Sequence, residues 1–207
     1  MEYNQNALQA VMKSFAIMWV VTAIGMFVGT ILPPGIAMAA SLVAIILLIV
    51  TIFVRSAAFS KFVAYLLPFL MGIGLFWSTQ FYINELGEGL VLLIFFSTVA
   101  IFIILGLVGS FVKADLSGFG KYLFGALLVA IVVSIVFIFV PVSNLVHLVL
   151  TGVILLIFVF YTIYDFNQIR QHPPTPDEVP MTALNLYLDF INLFLRLLEF
   201  VYRLTKD

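Results

Sequence analysis

The chain has 207 residues, 64% of them hydrophobic and 9% charged, where globular proteins run at about 45–50% and about 25%. So few charges cannot keep the surface of a soluble domain in water, and a polytopic membrane protein is implied. Nine Lys and Arg against ten Asp and Glu give a formal charge of −1, which offers nucleic acid no basic field; the lack of cysteine excludes disulfides, thiolate metal sites and a cysteine nucleophile.

A bilayer-crossing helix needs about 20 mostly apolar residues. Seven runs qualify: 12–32, 36–54, 62–83, 90–111, 121–140, 144–165 and 181–202. Each is continuously apolar instead of alternating with period two, so the spans are helices and not barrel strands. A single all-α transmembrane domain over 1–207 is expected. Glu2 stands where a signal peptide would carry basic residues, so the first run is expected to stay as a span. Within it, Gly25 and Gly29 form a small-xxx-small pair suited to close packing against another helix.

Pro33-Pro34-Gly35 separates spans one and two. Arg55 to Lys61 separates two from three, and Pro68, Gly72 and Gly74 should loosen or kink the third span. Asn84 to Gly89, Lys113 to Gly118 and a tight turn around Pro141 follow. The longest connection, Arg170 to Pro180, holds four prolines and is expected to be stiff and extended. Lys13, Arg55, Lys61, Lys113, Lys121 and Arg170 fall on one face; Arg203 and Lys206 fall on the other. By the positive-inside rule the N-terminus is expected in the cytoplasm and the C-terminus outside, in a cell (inner) membrane.

Ionisable groups at apolar depth are costly and mark function. Here they are Asp165, Asp189, Arg196 and Glu199, with Arg55 at the end of the second span. Along the last span Asn185, Asp189, Asn192, Arg196, Glu199 and Arg203 are spaced 4, 3, 4, 3 and 4, on one helical stripe. Such a helix should lie inside the bundle, facing other helices or water. Arg196, Glu199 and Arg203 can neutralise one another at i,i+3 and i,i+4, whereas Asp189 has no cation on its own helix.

Asp165 and Asp189 lie on spans adjacent in sequence and near the same membrane face. A close carboxyl pair in low dielectric would share a proton or recruit a cation, and hard oxygen ligands suit Ca²⁺ or protons. The alternatives are a structural pair satisfied by Arg, Asn or Tyr, and acid/base catalysis. No small glycine flank follows either aspartate to admit a scissile peptide, His147 and His172 are isolated, and no hydrolase or phosphate-loop motif occurs. An enzyme and a resident cofactor are therefore not expected.

Tyr164-Asp165-Phe166-Asn167-Gln168-Ile169 and the stretch from Ala183 to Leu195 resemble the signature of the transmembrane Bax-inhibitor family, above all its small prokaryotic members. The resemblance is specific over about 161–198 and collinear elsewhere. It implies six helices around a central polar seventh, and a pH-sensitive calcium leak with Ca²⁺ and protons as its ions. The implied pH sensor is the pair Asp165 and Asp189, which would also meet Ca²⁺. The implied latch to the sixth-helix aspartate is Arg55, and Asn185, Asn192, Arg196 and Glu199 would support the stripe. Unlike the family pattern, 36–54 and 90–111 carry no acidic residue. A proton-coupled solute transporter and a non-conducting membrane helper remain as alternatives.

Overall fold

A computed structural model describes residues 2–53 and 57–206, with side chains over 6–51 and 58–206. Seven α-helices run through the described residues: α1 (Glu2–Gly29), α2 (Pro34–Phe53), α3 (Ala57–Leu86), α4 (Glu88–Phe111), α5 (Gly120–Phe139), α6 (Asn144–Gln171) and α7 (Val179–Thr205), with a short 3₁₀ turn at Ser117–Phe119 before α5. Each expected span holds a helix. α1 begins earlier, and α3, α6 and α7 run further at both ends or at their C-terminal end, than apolarity alone indicates, because polar residues can continue a helix once it has started.

Among the described residues, six helical stretches are long and apolar enough to cross a membrane: Asn6–Gly29, Pro34–Thr51, Ala58–Leu86, Glu88–Phe111, Ser117–Phe139 and Asn144–Gln171. Large apolar side chains along them stand open, as Phe111 at 75% and Phe139 at 79% exposure do; in water such a surface would aggregate, and in lipid it is solvated. α7 is not among the six, since Asp189, Arg196, Glu199 and Arg203 interrupt its apolarity.

The chain through Asn84 packs with Pro173–Tyr187 into one compact unit. Its core includes Val11, Met18, Val63, Ala64, Leu67, Leu184 and Tyr187, all fully buried. α1 and α3 cross at their glycines: a Cβ on Gly25 would stand 2.2 Å from the Phe69 carbonyl oxygen, and one on Gly72 2.3 Å from that of Thr22. The Gly25/Gly29 pair therefore serves internal packing, and α3 continues through Pro68. Tyr187 donates its hydroxyl to Thr22 Oγ1 (2.7 Å), which donates to the Met18 carbonyl, and the Tyr187 ring stands edge-on to Trp19.

The connection into α7 is not extended throughout. Thr175 N and Oγ1 both donate to Glu178 Oε2 at 2.8 Å, and Glu178 and Val179 N–H groups return to the Thr175 carbonyl. Thr-x-x-Glu thus starts the helix as half of a capping box, and Pro180 sits in the first turn, where its missing N–H costs nothing.

The second unit comprises Glu85–His172 and the chain from Leu188 onward. Gly87 opens α4 at φ 84°, a conformation open to glycine and strained for other residues. α4 and α6 approach closely because Gly109 faces α6: a Cβ there would lie 2.3 Å from the Ile163 carbonyl oxygen. Between α5 and α6, Ser143 caps α6 by accepting from Val146 N, so the turn expected at Pro141 is present.

A buried carboxyl pair between α6 and α7

Asp165 lies six residues before the end of α6 and Asp189 ten residues into α7, about 9 Å and 15 Å along their helices from those ends. Both belong to the second unit, and they stand within charge–charge range of one another. Tyr161, one turn before Asp165, is within range of both carboxylates.

The two are held by aromatic packing. Phe166 and Phe190, the residues after each aspartate, stand edge-on to Phe102 of α4 with ring centroids at 5.5 and 5.3 Å. Phe95, two turns earlier on α4, meets Phe190 and Phe194. Phe166 fits over Gly106, where a Cβ would come within 2.9 Å of its ring. Edge-to-face pairs fix ring orientation as well as burying area, so α4 sets the direction in which each preceding aspartate leaves its helix.

The environments of the pair differ. Asp165 is half-buried, while Asp189 is 4% exposed. Asp189 Oδ2 is buried and, among the described residues, has no hydrogen-bond partner. An anionic oxygen cannot stay there uncompensated, because a buried charge without a donor costs several kcal/mol. It requires a proton, a water molecule or a cation. Among the described residues no third His, Cys, Asp or Glu joins the pair to complete a metal-ligating group.

The end of α6 beyond Asp165 clamps the connection from α4. Asn167, fully buried, donates from Nδ2 to the carbonyls of Val112 and Ala114 and accepts at Oδ1 from Leu116 N, all at 3.0 Å. Arg170 Nη1 donates to the carbonyls of Ser110 (2.7 Å) and Val112 (3.2 Å). It thereby serves the unsatisfied C-terminal carbonyls of α4 and complements the negative end of the helix dipole. Gln171 reaches the Lys113 carbonyl, and His172 Nε2 lies 3.2 Å from Asp115 Oδ2. Asp115 also accepts from Ser117 N, which holds its carboxyl below the usual value with help from His172. Reading the sequence did not single out Asn167 for this role; the available signal was a carboxamide inside an apolar helix, which needs buried partners.

The rest of the stripe divides. Glu199 bridges two guanidiniums: Arg196 Nη1 to Oε2 at 2.5 Å, and Arg203 Nη2 and Nε to Oε1 at 2.9 and 3.1 Å. Asn192 donates to the Leu188 carbonyl on its own helix. Asn185 is exposed, whereas Leu184, Leu186, Ile191 and Leu193 are almost wholly buried. The apolar residues of α7 are thus among its most buried ones, since side chains without hydrogen-bonding groups are cheapest to bury, and of the stripe Asp189 is enclosed to a similar degree. Arg55, the expected latch, lies outside the described residues.

The model of one protein family, described as inhibitor of apoptosis-promoting Bax1, matches residues 4–205. The chain belongs to the Bax inhibitor family. Among its relatives, LIFEGUARD 1 of Arabidopsis thaliana is 39% identical over 87 residues, covering 42% of this chain and 37% of the relative. Bax inhibitor 1 of Schizosaccharomyces pombe is 34% identical over 112 residues, covering 54% and 42%. Lifeguard 4 of Mus musculus is 35% identical over 117 residues, covering 56% and 48%. The matched stretch thus spans less than half the length of each of these relatives.

Proposed function

We propose that this Bax inhibitor family member is a passive Ca²⁺ leak whose conductance is set by protonation of the Asp165–Asp189 pair. The observation that carries the reading is the Asp189 Oδ2 oxygen, buried without a donor among the described residues and within charge–charge range of Asp165. A proton shared between the two carboxyls removes that cost and one negative charge; its loss creates a local negative charge that attracts a cation and strains the α6–α7 packing. An open–closed equilibrium biased by a few kcal/mol suffices for such a gate. In this reading α7 is the central helix of seven crossings, the N-terminus is cytoplasmic, and Arg55 pairs with Asp165 in the closed state. Ca²⁺ is cargo, not a resident cofactor, and the chain is not an enzyme.

Ca²⁺ flux into liposomes holding only this chain tests it. Flux should change steeply over about pH 6 to 8 and lose that dependence in Asp165→Asn and in Asp189→Asn. Identical pH profiles in all three proteins would remove the sensor role. Uptake of solute driven by a pH gradient without Ca²⁺ flux would favour a proton-coupled transporter, and silent liposomes a non-conducting helper.

A further inference from the structure

At the end of the second unit opposite Asp165 and Arg170, a cavity of about 210 Å³ opens between α5, α6 and α7. Its polar lining is Ser134, His147, Thr151, Arg196, Glu199 and Arg203. The calcium reading makes no use of it. The wall carries two guanidiniums and one carboxylate, a net positive charge. Both carboxylate oxygens are already engaged, Oε2 by Arg196 and Oε1 by Arg203, so Glu199 has little left to offer a cation. Arg196, by contrast, is bound to Glu199 through Nη1, and its Nε is buried with no hydrogen-bond partner among the described residues. The Nε side of a guanidinium presents two parallel N–H groups that match a bidentate oxyanion, and a buried donor of this kind calls for an acceptor.

The depth of the cavity narrows the ligand. α6 has 28 residues, so it is about 42 Å long against a hydrocarbon core of about 30 Å. Its first turns, which bear His147 and Thr151, therefore pass from headgroup level into the core, and Arg203 lies two residues from the end of α7. The abundant oxyanions at that level are lipid phosphodiesters. The volume admits one phosphate group in place of about seven waters, at about 30 Å³ each.

We infer that the cavity lined by Arg196, Arg203 and His147 binds a phosphate-type oxyanion, supplied by the headgroup of an anionic lipid. The reading is independent of calcium conduction. The test is the thermal midpoint of the purified full chain in detergent, titrated separately with short-chain phosphatidylglycerol, inorganic phosphate and sodium chloride at matched ionic strength. The midpoint should rise saturably with phosphatidylglycerol and not with chloride. Arg196→Lys, which keeps the charge and loses the fork, should weaken half-saturation by about tenfold or more. Ser134→Leu, which narrows the cavity and leaves the Arg196–Glu199–Arg203 triad intact, should weaken half-saturation as well. A rise at equal concentrations of phosphate and lipid would keep the oxyanion site and make its source soluble. No saturable rise with either, an equal rise with chloride, or unchanged half-saturation in both variants would overturn the inference.

Discussion

Phe166 and Phe190, each the residue directly after an aspartate, stand edge-on to one ring, Phe102 of α4. A single side chain on a third helix thus fixes two backbone positions at once, and with them the separation of Asp165 and Asp189. Deleting that ring should loosen the pair before it unfolds the protein.

Phe102→Ala should cost about 3 kcal/mol of stability, and Phe102→Leu about 1 kcal/mol, as two edge-to-face pairs are lost with little volume. Unfolding in detergent measures both. In liposomes, Phe102→Leu should flatten the pH response of Ca²⁺ flux while leaving both aspartates present.

The glycines of the second unit should separate sharply by what they face. Gly109→Ala would drive a Cβ into the Ile163 carbonyl and should destabilise by about 1–3 kcal/mol. Gly125, inside α5, has nothing within 4 Å of such a Cβ. Gly125→Ala should be neutral or stabilising by up to about 1 kcal/mol, through helix propensity alone. Thermal midpoints of the two variants give the comparison.

Asn167→Leu should remove three hydrogen bonds and leave part-buried backbone groups between Val112 and Leu116 without the Asn167 side chain, at a cost of about 2 kcal/mol. Arg170 continues to hold Ser110 and Val112, so the helices should persist. Faster hydrogen exchange at the Leu116 amide, with α4 and α6 protected, is the expected readout.

Glu199→Ala should be worse than Arg203→Gln. The first leaves two partly buried guanidiniums facing one another, and the second leaves the Arg196–Glu199 pair whole. The difference should fall toward the lower end of the roughly 3–5 kcal/mol seen when a buried pair is broken, because the three side chains keep some exposure. Denaturant midpoints of the two variants decide it.

Acid should release two local structures outside the membrane-spanning helices. The Ser117 N–H holds the Asp115 carboxyl below its usual 3.8, and the Thr175 N–H and hydroxyl hold Glu178 below its usual 4.5. Carboxyls so lowered contribute stability that is present above the usual value and is lost as pH falls through the lower, folded one. The amide resonances of Ser117 and Thr175 should therefore move only below about pH 4. Asp115→Asn and Glu178→Gln should remove those transitions one at a time.

That the chain is helical and lives in a membrane follows from residue order alone, because apolar runs of bilayer length are stable only as spanning helices. So does the Arg196–Glu199–Arg203 triad, because spacings of three and four place side chains together on any α-helix. The likeness around Asp165 and Asp189 was legible for a similar reason: the residues are local in the chain. Which face of α7 is buried was not legible. The polar stripe marks a face without saying what covers it, and the Leu and Ile side chains turned out to be the more deeply enclosed. Nor were the Phe102 junction, the Asn167 clamp or the oxyanion-sized cavity legible. Each joins residues at least ten positions apart in sequence, and such partners are chosen by how helices cross, through glycines that let two backbones meet, and not by any pattern within one helix.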